Sequence, residues 1–295
     1  SFYVEIPEKN LGFLGAQKLG GKNLSFNNLL DLNAAFGLLE EFKEPTAVVI
    51  KHTNPCGVGS ADNLLEAFKK AYSGDPLSAF GSIVGLNKKV DEVTAREIAS
   101  PGTFIEGIIA PDYEDEALEI LKTGQKWGKN VVILKIDSFS SDREELDIRK
   151  LSGGILVQEE DRDIYFPQNL KVVTKREPSP GEKEELIFAW IVCKHVKSNA
   201  LVFSKDKTVV GVGAGQMSRI DSCLIALRKA KKRVKGAVLA SDAFFPFPDV
   251  VEEAGKAGIT SIIQPGGARR DEKVIKMADN YGIAMLFTRM RHFRH

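Results

Sequence analysis

Residues 46–59 read TAVVIKHTNPCGVG, and their reading decides the fold. Ala47, Val48, Val49 and Ile50 form a short apolar run of the length that a strand covered on both faces requires. Lys51, His52, Thr53 and Asn54 follow at once, and then a Pro-Cys-Gly break. The stretch predicts a buried strand that runs out into a polar, glycine-bearing turn. A strand end is rigid, and a turn beyond it leaves side chains open to solvent, which is where α/β proteins keep their chemistry. A lysine beside a histidine there pairs a fixed positive charge with a group that moves a proton near neutral pH.

Working outward, residues 24–42 (LSFNNLLDLNAAFGLLEEF) carry apolar side chains at helical spacing, with Asn27 or Asn28 as the cap and Glu44-Pro45 as the stop. Beyond the opening strand the patterning predicts a helix over 62–72, a strand over 79–86, a helix over 91–99, a strand over 104–110, a helix over 113–122 and a strand over 130–136. Residues 138–147 turn polar, and a domain change is expected between there and residue 180. Residues 152–158 read as a strand still belonging to the first half. A helix over 184–196 follows the loop REPSPGEKEE. A strand pair over 198–203 and 208–212 flanks a turn at 204–207. Helices over 220–232 and 249–256, and a third that the turn GGARRDEK opens and that runs to Asp279, then alternate with strands over 237–241, 259–264 and 283–287. Such alternation predicts α/β architecture with a largely covered sheet. The halves rhyme: IEGIIAPDYEDEALEIL matches ITSIIQPGGARRDEKVIKMA, and DPLSAFGSIV matches SDAFFPFPDVV. Two copies suggest a duplicated α/β unit, not a solenoid, divided as residues 1–160 and 161–295.

Composition bounds the rest. The chain has 295 residues, 43% hydrophobic and 27% charged, with net charge +1, so nothing global argues for nucleic acid or membrane as a partner. No apolar run nears the ~20 residues of a membrane span. Cys56, Cys193 and Cys223 stand far apart with no C-x-x-C, which supports neither a disulfide framework nor a zinc site and fits a reducing cytoplasm. A chain that opens on Ser1 and enters patterned sequence at once is expected to be a piece of something longer.

Each motif has a chemical and a plain structural reading. His52 suits a base and Lys51 a proton donor or charge stabiliser; alternatively the histidine caps a carbonyl in a loop. Cys56 suits a structural role better than a nucleophile. Gly211-Val212-Gly213-Ala214-Gly215 offers backbone N–H groups to an anion with Arg219 nearby, or is a tight turn. It falls short of a dinucleotide fingerprint, because its third glycine comes too early. The phenylalanines of SDAFFPFPD (241–249) are core, or an aromatic wall for a planar heterocycle. The tail TRMRHFRH (288–295) is frayed, or is held at a strand end where an arginine suits a phosphate or carboxylate. RKAKKRVK (228–235) reads as the solvated end of a helix.

Taken together, KHTNPCGVG, DPLSAFGSIVGLN, IEGIIAPDYE, KSNALVF, GVGAGQMSRIDS, SDAFFPFPD, PGGARRDE and RHFRH resemble, in order and over nearly the whole chain, the AICAR transformylase family. That family is the formyltransferase part of a bifunctional purine biosynthesis protein, usually fused behind an IMP cyclohydrolase domain. The resemblance implies formyl transfer from 10-formyltetrahydrofolate to the exocyclic amine of AICAR, with Lys51 and His52 as the catalytic pair and no catalytic metal. It places His52, Gly81, Glu106, Asn199, Arg219, Phe244 and Arg291 on AICAR, and Ile220, Asp249, Ala268 and Arg269 on the folate. It implies a tandem of two cytidine-deaminase-like, three-layer α/β/α units and a homodimer with sites at the interface. Glu106 stands where some relatives have aspartate, and Ala268-Arg269 replaces a small polar pair. An Arg-Tyr-Gly…Asn-Pro-His segment of the family, expected just before Ser1, and the cyclohydrolase domain are absent. A zinc deaminase would need an H-x-E and a P-C-x-x-C; Val58 and Gly59 follow Pro55-Cys56 and Gly57, and no H-x-E occurs. A non-catalytic nucleotide-binding module is the other alternative, and it would tolerate loss of Lys51 and His52.

Overall fold

The computed structural model describes residues 12–139 and 146–295. Strand β1 (Gln17–Gly20) and helix α1 (Phe26–Leu39) lead into β2 (Thr46–Lys51) and β3 (Asn54–Ser60). Then come α2 (Leu64–Gly74), the one-turn α3 (Pro76–Ala79), β4 (Ser82–Leu86), α4 (Glu92–Ile98), β5 (Ile105–Ala110), α5 (Asp115–Thr123) and β6 (Val132–Lys135). Strands β7 (Leu146–Leu151) and β8 (Gly154–Glu159) form a ribbon apart from the main sheet. The chain continues through β9 (Lys171–Val172), α6 (Pro180–Lys194), β10 (Leu201–Lys205), β11 (Thr208–Gly213), α7 (Arg219–Ala230), β12 (Val238–Ser241), α8 (Asp249–Lys256), β13 (Ser261–Gln264), α9 (Asp271–Asn280) and β14 (Ala284–Phe287).

Twelve strands make one mixed sheet in the order β1-β6-β5-β4-β2-β3-β11-β10-β12-β13-β14-β9. From the middle outward each half gives a hairpin, then three strands parallel to one another, then an antiparallel edge strand. The strand senses put the ends of β1, β2, β11, β12, β13 and β14, and the starts of β3, β4, β5, β6 and β10, along a single edge. Alternate residues face opposite sides, as the pleat requires: Val48 and Ile50 join a core that also holds α1 and α6, whereas Ala47 and Val49 join a core with α2, α4 and α5. The first of these cores runs through both halves; in the second half α7, α8 and α9 cover the opposite face with a third core. The result is a three-layer α/β/α arrangement. Among the described residues no helix is long and apolar enough to cross a membrane.

The opening stretch departs from its predicted form. Only His52 and Thr53 make the turn, and residues 54–60 return as β3 in register with β2. The glycines that suggest a loop are there for close packing. A Cβ on Gly57 would lie 1.9 Å from the Ala71 carbonyl oxygen of α2, and one on Gly59 would lie 2.6 Å from that of Ala67. Pro55 fits because the register shifts between Val49 and Ile50, a bulge where a missing N–H is tolerated. The run 211–215 behaves alike: Gly211 and Gly213 belong to β11, and a Cβ on Gly213 would stand 1.9 Å from the Ser222 carbonyl oxygen of α7.

Other boundaries shift for local reasons. Ser25, not Asn27 or Asn28, caps α1, with the Asn28 side chain returning the hydrogen bond. Helix α6 starts at Pro180 because Ser179 and Glu182 form a capping box. Residues 146–151, whose first two fall in the stretch read as polar, form β7, and the strand expected over 152–158 is β8 (Gly154–Glu159), paired with β7 away from the main sheet. Of the two rhymes, β5–α5 and β13–α9 hold equivalent places in the series. DPLSAFGSIV enters a strand and SDAFFPFPDVV leaves one, so the second rhyme pairs unlike positions.

The halves meet where β3 pairs with β11 through Thr208 and Gly59, the one register pair of that ladder among the described residues. The basic run 228–235 is not simply solvated. Arg233 donates to the carbonyls of Ser73 (2.7 Å) and Gly74 (2.8 Å), closing the C-terminal end of α2, and Lys229 pairs with Asp75. On the shared face, Glu41 at the end of α1 accepts from Lys194 (2.7 Å). Arg294 donates to His195 Nδ1 (3.1 Å), which leaves the proton on Nε2 facing Glu41 Oε1 at 3.3 Å. Burial pushes the His195 imidazolium down to about 4 despite the pull of Glu41. Burial pushes the Glu41 carboxyl up, but His195 and Lys194 outweigh it and hold it below the ordinary range.

Candidate active site

The sequence-predicted residues fall on the one strand-end edge, in two groups. Lys51, the last residue of β2, sends its Nζ to the carbonyls of Phe80 (2.5 Å) and Gly81 (3.2 Å). An ammonium has three donors, so among the described residues one remains for an anionic or carbonyl oxygen. Gly81 has φ +71°, and a Cβ there would stand 3.3 Å from the Lys51 Nζ and from the Phe104 ring. The lysine amine therefore packs close beside Gly81 in a way that a Cβ there would crowd. Glu106 occupies a bulge in β5 beside Ser82 and pairs with Lys22. His52 is exposed and carries a positive φ, as does Thr53. Cys56 lies in the bulge of β3 with its sulfur donating to Val49 O at 3.4 Å, and burial pushes its thiol up to about 12, which removes the nucleophile reading.

The second group is a connected network. Asn199 donates from Nδ2 to Gln216 O (2.7 Å) and accepts at Oδ1 from Arg219 Nη2 (2.7 Å). Arg219 opens α7 and is buried; its Nη1 donates to Ser241 Oγ (3.0 Å) and to Asp242. Asp242 is fully buried and also accepts from Ser198 Oγ. A buried carboxylate needs such partners, since desolvation alone would expel its charge. The Arg291 guanidinium lies over the Phe244 ring, 5.1 Å from its centroid, a cation–π arrangement. Phe245 is core and Phe247 is exposed under Arg270, so the aromatic wall reduces to Phe244 and Phe247. Ile220, Asp249 and Ala268 are half-buried, and Arg269 is exposed. A cavity of about 400 Å³ opens beside Asn199, lined by Ser198, Gln216, Met217 and Phe293 among others.

The tail is held firmly. His292 is buried against Trp190, with Nδ1 2.6 Å from Asp161 Oδ2 and Nε2 3.0 Å from Ile164 O. Its backbone N–H donates to Asp242 O at 3.1 Å, and Ser198 N–H donates to Arg294 O at 3.0 Å. Arg291 thus projects from an anchored strap.

Residues flanking the two groups join where Lys197 N–H donates to Asn54 Oδ1 at 2.9 Å. Elsewhere they diverge. Glu106 and Phe244 are six strands apart, which at about 4.8 Å per strand is roughly 29 Å. Sequence reasoning missed Asp31, Asn54, Ser198 and Asp242. Asn54, Ser198 and Asp242 lay inside quoted motifs, and an acid directly after a buried strand was the available signal for Asp242.

A three-layer α/β protein with its polar groups gathered along one strand-end edge is what the fold and site define. Residues 1–229 match the family model described as AICARFT/IMPCHase bienzyme. The chain is 47% identical over 295 residues to the bifunctional purine biosynthesis protein PurH of Rhodopirellula baltica. It is 53% identical over 293 residues to that of Thermoanaerobacter sp., and 51% over 298 residues to that of Caldicellulosiruptor saccharolyticus. Each alignment takes in 99–100% of this chain and 56% of the relative, so the chain spans a little over half the length of these relatives. The chain belongs to the AICARFT/IMPCHase bienzyme family.

Proposed function

We propose that the protein transfers the formyl group of 10-formyltetrahydrofolate to the exocyclic amine of AICAR, giving formyl-AICAR, the substrate for closure to IMP. The observation that carries this reading is the Lys51–His52 pair at a rigid strand end, with one ammonium donor uncommitted among the described residues and the imidazole exposed beside it. The AICAR amine is a weak nucleophile, because its lone pair is delocalised into the ring and carboxamide. His52 takes the amine proton as nitrogen attacks the formyl carbon. Lys51 faces the developing oxyanion, and a proton returns to the folate nitrogen as its bond to carbon breaks. Gly81, Glu106, Asn199, Arg219, Phe244 and Arg291 hold AICAR. The half-buried Ile220, Asp249 and Ala268 and the exposed Arg269 leave a surface that a folate can reach.

The homodimer reading gains support from the span between Glu106 and Phe244, which exceeds what one nucleotide bridges; a second copy supplies the missing side. The shared strand series of the two halves supports a tandem of cytidine-deaminase-like units, 1–160 and 161–295. The remaining length of the relatives fits an IMP cyclohydrolase domain on the same parent chain, and the parent protein is read as cytoplasmic.

The test is a formyl-transfer assay with AICAR and 10-formyltetrahydrofolate on this chain and on a version extended upstream. No turnover in the extended protein sinks the assignment. Lys51→Ala and His52→Ala are expected to lose about 10²–10⁴-fold in kcat with a smaller change in KM, since both groups act in the transition state. Near-full rate in both variants would remove the pair while leaving the family intact.

A further inference from the structure

We infer that Asp31 and Asn54 are positioning residues for His52, fixing the two-residue turn on which that histidine stands. The inference rests on the reading of His52 as a proton-handling group. His52 and Thr53 have φ of 51° and 62°. Histidine visits this left-handed region occasionally, and a β-branched residue almost never. Two-residue hairpin turns with both φ values positive prefer Asn-Gly. Nothing in His-Thr itself selects the shape, so the surroundings must.

They do so from two sides. Asp31, on α1, accepts the Thr53 N–H at 2.6 Å. Asn54 donates from Nδ2 to the His52 carbonyl at 3.1 Å and accepts from Lys197 N–H at 2.9 Å. The turn is therefore tied to a helix, to itself and to the segment that leads into Asn199. The ladder between the halves has its register pair at the far end, Thr208 with Gly59. At the site edge, the Asn54–Lys197 contact carries the link between the hairpin tip and the Asn199 network. The imidazole thereby stands on a turn fixed by both halves of the chain.

The experiment uses the full-length parent protein in the formyl-transfer assay, with amide exchange at Thr53 as a second readout. Asp31→Ala and Asn54→Ala should each lower kcat about 10- to 100-fold, the scale of a misplaced catalytic group, with the KM for AICAR nearly unchanged. Asp31→Asn, whose amide oxygen still accepts the Thr53 N–H, should restore most of the rate. Thr53 exchange should quicken in Asp31→Ala and stay slow in Asp31→Asn. Wild-type kcat in Asp31→Ala, or equal loss in Asp31→Ala and Asp31→Asn, overturns the inference. If His52→Ala itself keeps its rate, the functional reading falls, and Thr53 exchange then decides the positioning claim: unchanged exchange in Asp31→Ala overturns it. Should Asp31→Ala fail to fold, Asn54→Ala carries the same test, and unaltered kcat there refutes it.

Discussion

Gly81 is glycine for two independent reasons, its positive φ and the neighbours that crowd the place of a Cβ. Gly81→Ala is therefore expected to cost more than about 1 kcal/mol of stability and to displace the Lys51 amine from the Phe80 and Gly81 carbonyls. Urea melts and the formyl-transfer rate measure the two effects; a variant unchanged in both would show that the lysine is held by something else. At this scale the sequence was readable where chemistry is contiguous. Lys51 and His52 adjoin, and a Lys-His pair at the end of an apolar run announces itself. Asp31 and Thr53 are separated by 22 positions and Ser198 and Asp242 by 44. No local pattern links such pairs, because only the fold brings them together.

The helices and strands were mostly legible as elements, and the misread glycines share a cause. Gly57, Gly59, Gly211 and Gly213 look like loop residues to any reading based on backbone freedom. In the folded chain they lie in strands, bare of side chains so that α2 and α7 can approach. A flat strand face pressed against a helix leaves the same signature as a flexible turn. Gly213→Ala tests this: its methyl would meet the Ser222 carbonyl, and overpacking of this kind costs about 1–3 kcal/mol or more. Thermal melting should fall by several degrees. A melting point equal to that of the parent would mean that α7 has room to shift. The caps tell the opposite story, since Ser179-x-x-Glu182 is a signal present in the sequence and simply outranked by the apolar run that follows.

The two halves share one twelve-stranded sheet and one core, and Glu41, Lys194, His195 and Arg294 link the end of α1 to the end of α6 and the tail. Its histidine sets a pH dependence. Folded, His195 stays neutral down to about pH 4; unfolded, it takes a proton near 6.5. Between those values the unfolded chain binds the extra proton, so stability falls as pH drops from about 6.5 to 4 and is unaffected by this group above that range. The loss is on the order of 3 kcal/mol. Glu41, with its folded pKa depressed, works in the same direction: its contribution is present above the ordinary carboxylate range and is lost as pH falls through the folded value. His195→Gln should flatten the acid limb of a stability-against-pH curve from urea melts; an unaltered slope would exclude the histidine as its source.

The seam between β3 and β11 has a bearing on how the chain is made. Gly59 and Thr208 stand about 150 residues apart in the sequence. A ribosome adding about 5–20 residues per second leaves β3 waiting roughly 7–30 s for its permanent neighbour. During that interval the middle of the finished sheet is an open edge, able to recruit the same strand of a nascent chain on the next ribosome. Expression yield is therefore expected to depend on how quickly the second half is translated.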